Sequence, residues 1–159
     1  MGSPLLQTQI DIAAPVSTVW ALISDLRRMP QWSPQCRVMK VLGATRVGAK
    51  AINVNRRNKM FWPTTCTITE LDPERKLSFR VDVNTMLWSY ELEPVEGGTR
   101  VTETRRAPEG FKTIPTMLVD KFMGGVPGFE QELIAGMNES LQRIKSAAEA
   151  QARSSTPSS

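Results

Sequence analysis

Between Cys36 and Arg106, apolar and polar residues alternate in one run after another. The alternation then gives way to apolar residues three or four apart from Phe129 to Ala148. A period of two marks a strand buried on one face, and a period near 3.6 marks a helix with one apolar stripe. A series of antiparallel strands followed by one long amphipathic helix leaves few packings open. The pattern predicts an α+β fold in which a curved sheet of about seven strands wraps the stripe of the last helix.

The individual elements follow from the same reading. Leu6, Thr8, Ile10 and Ile12 alternate with Gln7, Gln9 and Asp11, which predicts a first strand over Leu6–Ile12. Pro15 opens a helix, where its missing N–H is no loss at the first position. Val16, Val19, Trp20, Ile23 and Leu26 share a face until Met29-Pro30 ends the run. Strands are expected over Cys36–Leu42, Gly48–Arg57, Thr64–Leu71, Lys76–Val83, Met86–Glu93 and Thr99–Arg106. Turns fall at Gly43–Val47, Asp72-Pro73 and Gly97-Gly98. Leu77, Phe79, Val81 and Val83 make one apolar face. A short helix is expected over Ile114–Met123, ahead of a long one with the stripe Phe129, Leu133, Met137, Leu141, Ile144 and Ala148. Glu130 and Glu132 fall in the first turn of that helix, with Arg143 and Lys145 toward its end, as the helix dipole favours. Residues 1–5 read as a disordered start, 6–152 as a single domain, and 153–159 as a disordered Ser/Thr/Pro tail.

Composition narrows the chemistry. The 159 residues include no histidine, which removes Ser-His-Asp and Cys-His nucleophiles and the common zinc sites. Proton transfer would fall to Asp, Glu, Tyr, Lys, Cys or water, which shifts the expectation from catalysis toward binding. Cys36 and Cys66 are too few for a disulfide framework and have no companion ligands. A reduced cytoplasmic protein with no metal and no cofactor is expected. No apolar stretch is long enough to span a bilayer and no signal peptide is visible, so membrane insertion is not expected. The net charge is +4, with basic pairs at Arg27-Arg28, Arg56-Arg57 and Arg105-Arg106. Read as spaced by acids, these pairs make a solvated surface, and no nucleic-acid partner is expected.

Several local segments carry a family resemblance. Ile10-Asp11-Ile12-Ala13-Ala14-Pro15 followed by Val19-Trp20 is similar to the strand-to-helix entry of the SRPBCC superfamily, which includes START domains, polyketide cyclases and the birch-pollen allergen. Trp32-Ser33-Pro34-Gln35-Cys36 resembles the Trp-Ser-Pro-Glu-Cys segment of a bacterial, mainly actinobacterial, branch. The likeness continues through Asn55-Arg56-Arg57-Asn58, Thr65-Cys66-Thr67-Ile68-Thr69-Glu70, Tyr90-Glu91-Leu92, Gly98–Thr104 and Gly136-Met137 with Leu141. Two departures stand out. Gln35 replaces the usual Glu, and Ala51 stands where a large aromatic is common. The resemblance implies the helix-grip fold with a cavity between sheet and last helix. It names no reaction.

Candidate site residues follow from which faces turn inward. In one register Ala51, Asn53 and Asn55 face the interior; in the other Lys50, Ile52 and Val54 do. Two inward amides need partners from a ligand, water or neighbouring side chains. Phe79, Trp88 and Tyr90 fall on inward faces of adjacent strands, as core or as pocket wall. Trp32 and Trp62 lie near strand or loop ends, where they would flank an opening. Cys66, Ile68, Met117, Phe122, Leu133, Met137 and Leu141 supply apolar wall, with Met117 and Phe122 in a stretch whose flanking glycines would allow a lid. Glu103 and Arg105 share the face of Val101, as a structural salt bridge or as the polar end of a pocket.

Three functions are then in play. The first is binding of a hydrophobic or amphipathic small molecule, a lipid, polyketide or aromatic metabolite, by a monomer or homodimer. The second, implied by the cyclase relatives, is a polyketide cyclase or aromatase. In it polar groups orient a poly-β-keto chain and promote its enolisation, with Tyr90, Glu103 and Arg105 as the nearest candidates and Glu70 a poorer one. The third is a protein-interaction module of the kind that stimulates a chaperone ATPase, which predicts a cavity too small for ligand.

Overall fold

The structure, a computed structural model, describes residues 5–33, 36–57, 59–83, 85–107 and 126–155. Seven strands form one antiparallel sheet: β1 (Leu5–Ile12), β2 (Cys36–Val41), β3 (Lys50–Arg57), β4 (Met60–Asp72), β5 (Lys76–Val81), β6 (Leu87–Val95) and β7 (Gly98–Arg106). Their spatial order is β1-β7-β6-β5-β4-β3-β2. Every neighbour pair but β1–β7 is joined directly in sequence, so the middle of the chain is a meander. Helix α1 (Val16–Ile23), a 3₁₀ turn (Leu26–Arg28) and helix α2 (Met29–Trp32) lead from the β1 edge to the β2 edge. Helix α3 (Val126–Ser155) packs on β1, β7, α1 and α2. This is the expected α+β helix-grip arrangement. Among the described residues, no helix is long and apolar enough to cross a membrane.

The core confirms the periodicity and corrects its details. Leu141, Ile144 and Ala148 of α3 are buried in one cluster with Ile12, Val19, Leu22 and Val101, and Met137 of the same stripe is also buried. Leu22 belongs to the buried face of α1 although the sequence stripe passed over it. Pro15 caps α1 instead of entering it, and α1 ends at Ile23, so Met29-Pro30 begins α2 and does not end a longer helix. Strand β4 starts at Met60, four residues earlier than expected. Val83 lies beyond the end of β5 and is exposed, because the chain turns at Asp82 and the alternation there continues no strand. Helix α3 begins at Val126 and runs to Ser155, which includes the first three residues of the expected tail. Glu132 is thus past its first turn and Arg143 and Lys145 are mid-helix, so the dipole argument fails for them. The expected short helix over Ile114–Met123 lies outside the described residues.

One junction anchors the helix to the sheet. Glu149 Oε2 of α3 accepts the Ala13 backbone N–H at 2.8 Å and the Lys145 ammonium at 2.7 Å. Lys145 also donates to the Asp11 carbonyl at 3.0 Å. These bonds, Lys145 first, hold the Glu149 carboxyl below its ordinary range. From the sheet side, Thr99 Oγ1 donates to the Ala14 carbonyl at 2.8 Å. The Gly97-Gly98 turn serves two needs. Gly97 takes a positive φ of 85°, and a Cβ on Gly98 would run into the Ile12 carbonyl.

Candidate functional site

Curvature of the sheet around a straight helix leaves a cavity of about 570 Å³ between them. Its wall is built from alternate residues of successive strands. Cys36 and Met39 come from β2, Asn53 and Asn55 from β3, Trp62 and Thr64 from β4, Phe79 and Val81 from β5, Trp88 and Tyr90 from β6, and Glu103 from β7. Met29 and Ser33 close one side, and α3 contributes residues from Glu132 to Ser140, including Leu133, Gly136 and Met137. The size suits a ligand pocket, and the lining is apolar with a few polar groups.

The β3 amides face inward, because the register pairing Ala51 with Cys66 sends Lys50 and Ile52 to the outer face. Asn55 Nδ2 donates to Thr64 Oγ1 at 2.9 Å. Asn53 offsets in part the rise that burial imposes on the Cys66 thiol, while its Oδ1, buried, meets no hydrogen-bond partner among the described residues. Across the sheet, Tyr90 donates to Glu103 Oε2 at 3.2 Å, and the Met29 sulfur lies 4.0 Å from the same phenol. Glu103 is 3% exposed, and its Oε1 also meets no partner among the described residues. Burial pushes the Glu103 carboxyl up to about 8, opposed only in part by the Tyr90 hydrogen bond. Burial first, and the Glu103 charge second, hold the Tyr90 phenol well above its ordinary range. Glu103 therefore holds its proton well into the neutral range, where an ordinary carboxyl has lost it. Tyr90 occupies Oε2 as an acceptor, so the acid proton sits on Oε1, where it is available as a donor.

Other expected site residues fall outside the wall. Ala51, Cys66, Ile68 and Leu141 are buried in the core behind it. Trp32 does not flank the opening. It ends α2 turned inward, fully packed, with the Arg28 guanidinium 5.4 Å from its ring centre. Trp62 does line the cavity. Met117 and Phe122 lie outside the described residues. Of the two readings of Glu103 and Arg105, Glu103 bonds to Tyr90 and forms a polar part of the cavity wall, while Arg105 is buried with Nη1 3.5 Å from the Met86 sulfur. Glu70 is exposed and does not line the cavity; it lies 3.5 Å from the Lys76 ammonium.

Cys36, Met39, Met29 and Ser33 were missed as wall. Inward placement of the β2 pair follows from a bulge between Cys36 and Val38 that simple alternation does not reveal. Burial raises both thiols, Cys36 and Cys66, to about 11, so neither is a nucleophile at neutral pH. A wider hollow of about 750 Å³ lies on the outer face around Lys50, Arg80 and Asp82. There Asp82 is already bonded to Lys50, Thr65 and Thr67, and Arg80 lies 3.5 Å from it, so these charges pair with one another.

Solved structures share this architecture. The Polyketide_cyc-like protein Cgl2372 of Corynebacterium glutamicum is 28% identical, with 99% of this chain and 98% of that one covered at a TM-score of 0.64. Protein NE0264 of Nitrosomonas europaea is 19% identical over 92% of this chain and 95% of its own, at 0.68. The di-domain ARO/CYC protein StfQ of the steffimycin biosynthetic pathway gives 0.75 at 14% identity; this chain covers 52% of it, and 94% of this chain is matched. No curated protein matches the sequence. The family model described as polyketide cyclase/dehydrase and lipid transport matches residues 4–149, the span that builds both sheet and cavity. The chain belongs to the polyketide cyclase/dehydrase and lipid transport family.

Proposed function

We propose that the protein binds one amphipathic small molecule, a lipid, polyketide or aromatic metabolite, in the cavity between sheet and α3. The observation that carries this reading is a cavity wall, mostly apolar, that includes Asn53 and Glu103, each with one buried oxygen, Asn53 Oδ1 and Glu103 Oε1, that meets no partner among the described residues. A buried polar atom without a partner costs about 1–3 kcal/mol, and a ligand that bonds it recovers that loss. The two atoms make different demands. The amide oxygen requires a donor, such as a hydroxyl, whereas the neutral Glu103 carboxyl donates to a carbonyl or ether oxygen. The rest of the wall, with Met39, Phe79, Trp88, Leu133 and Met137, takes an apolar body. A cavity of about 570 Å³ also argues against a purely outer-surface role of the chaperone-activator kind.

The Tyr90–Glu103 pair favours a second reading, a cyclase. A buried acid donating to a ligand carbonyl lowers the barrier to enolisation of the adjacent carbon, the step ring closure requires.

Native mass spectrometry of the purified protein, repeated after denaturation, tests the binding reading. A stoichiometric extra mass released on unfolding is expected. Failing a retained ligand, saturable binding of anilinonaphthalene sulfonate, reduced by filling the cavity with Gly136→Leu, is expected. Absence of both the extra mass and saturable dye binding would overturn the proposal. Loss of turnover on a poly-β-keto substrate in Glu103→Gln with binding retained would select the cyclase.

A further inference from the structure

The 44-residue segment from Leu26 to Thr69 contains nine basic residues and no acidic one. The remainder of the chain, with 11 basic and 16 acidic residues, has a net charge of −5. The reading of basic pairs spaced by acids therefore fails over this segment. Folding keeps the asymmetry together, because the 3₁₀ turn and α2 pack on β2, and β2, β3 and β4 are consecutive neighbours at one edge of the sheet.

The outer face of these strands combines that charge with apolar exposure. Register sets Val38 beside Val54 and Pro63, Lys40 beside Ile52, and Arg56 beside Phe61. Phe61 is 59% exposed and Val38 50%, and Ile52 is exposed between them. Leu42 and Val47 are exposed on the β2–β3 connection, so five of the eight large exposed hydrophobics among the described residues lie here. Arg37, Lys40, Arg46, Arg56 and Lys59 are exposed around them, and the Arg56 guanidinium lies 5.4 Å from the Phe61 ring centre.

We propose that this face docks on an anionic phospholipid surface. The charge complementarity is one-sided, and a bilayer also explains the apolar residues: basic groups meet phosphates while Phe61, Val38 and Ile52 reach the headgroup–acyl boundary. A soluble polyanion would use the charge and leave the aliphatic side chains without purpose. The acidic remainder of the molecule turns it so that this face leads. The inference holds whatever fills the cavity.

The test is co-sedimentation of the full chain with vesicles of phosphatidylcholine alone and of phosphatidylcholine mixed with phosphatidylglycerol. Binding to the mixed vesicles only, weakened by salt, is expected. Lys40→Glu/Arg56→Glu lowers that binding by at least about tenfold. Arg75→Glu/Arg153→Glu, with the same change in net charge outside the face, changes it by less than about threefold. Phe61→Ser/Val38→Ser weakens binding and leaves its salt dependence intact. All four positions of the first and third variants are exposed; should a variant fail to melt like wild type, Lys40→Gln/Arg56→Gln takes its place. Equal binding to both vesicle types, equal loss from both charge reversals, or no vesicle binding overturns the proposal. So does tight binding to single-stranded DNA that is indifferent to Phe61→Ser/Val38→Ser.

Discussion

Replacing Glu103 by glutamine should make the protein more stable above neutral pH, and the gain should vanish in acid. The carboxyl titrates at about 8 in the folded protein against an ordinary value of 4.5. Because burial raises the folded-state value, the folded protein keeps a proton that the unfolded chain has released between those two values. The neutral acid is tolerated below about pH 4.5, and the penalty grows as pH rises to about 8. At about 1.4 kcal/mol per unit, the whole window is worth about 5 kcal/mol. Between about pH 5.5 and about pH 9 wild type should lose about 3 kcal/mol that Glu103→Gln does not lose. Glutamine keeps an oxygen to accept from Tyr90 and replaces the acid O–H with an N–H, so packing is preserved. Urea denaturation of both proteins at the two pH values measures the difference. A pH-dependent difference below about 0.5 kcal/mol would mean that Glu103 titrates as an ordinary exposed carboxyl and would refute the buried-acid argument.

Three further outcomes follow from the packing. Gly98→Ala should lower stability by about 2–3 kcal/mol, because its methyl meets the Ile12 carbonyl, while Gly97→Ala, limited by positive φ, should cost about 1 kcal/mol; thermal melts that rank them the other way contradict the close-approach account. Cys66, a thiol buried in the core behind the cavity wall and raised to about 11, should react with dithiobis-nitrobenzoate at neutral pH only as fast as the protein opens, so reaction at the rate of a free cysteine would refute its burial. Glu149→Ala should cost about 0.5–1 kcal/mol by removing the acceptor shared by the exposed Ala13 N–H and the Lys145 ammonium. The Glu149 carboxyl is held below its ordinary range, so its contribution is present above the unfolded-chain value and is lost as pH falls through the folded-state value; in chemical denaturation, a wild-type advantage that persists in strong acid would exclude the mechanism.

Local periodicity made most of the sheet legible, and its failures have physical causes. The N-terminal third of β4 was hidden by Pro63, which reads as a strand breaker. Pairing between β4 and β5 begins only at Cys66, so around Pro63 the strand has a partner on one side alone and tolerates a residue without an N–H. Val83 misled in the opposite direction, continuing an alternation past a turn. Within the site, strand parity was enough to turn Phe79, Trp88, Tyr90 and Glu103 toward the interior, whereas for Asn53 and Asn55 it left two registers open that the pairing of β3 with β4 decides. Parity does not say which inward residues meet a cavity and which meet one another. That distinction depends on how far the curled sheet stands off α3, and it separates Asn53 from Ala51 on the same strand. The Tyr90–Glu103 partnership was equally invisible, since two neighbours on β7 invited a Glu–Arg pair while the cross-strand register set Glu103 opposite Tyr90.

The pairing of β1 with β7 also governs the order in which the molecule can assemble. Leu5 meets Arg106 and Ile12 meets Thr99, so β1 finds the one strand partner it has among the described residues only after almost a hundred further residues have been made. The α3 anchor on Ala13 is more distant still, separated by 136 positions. Hairpins β3–β4, β4–β5, β5–β6 and β6–β7 close over short loops and can form first, whereas β1 waits as an unpaired strand with apolar Leu6, Ile10 and Ile12 uncovered. Long-range closure of this kind places folding in the slower range, milliseconds to seconds. During synthesis the first strand is thus the segment most in need of protection from pairing with another chain.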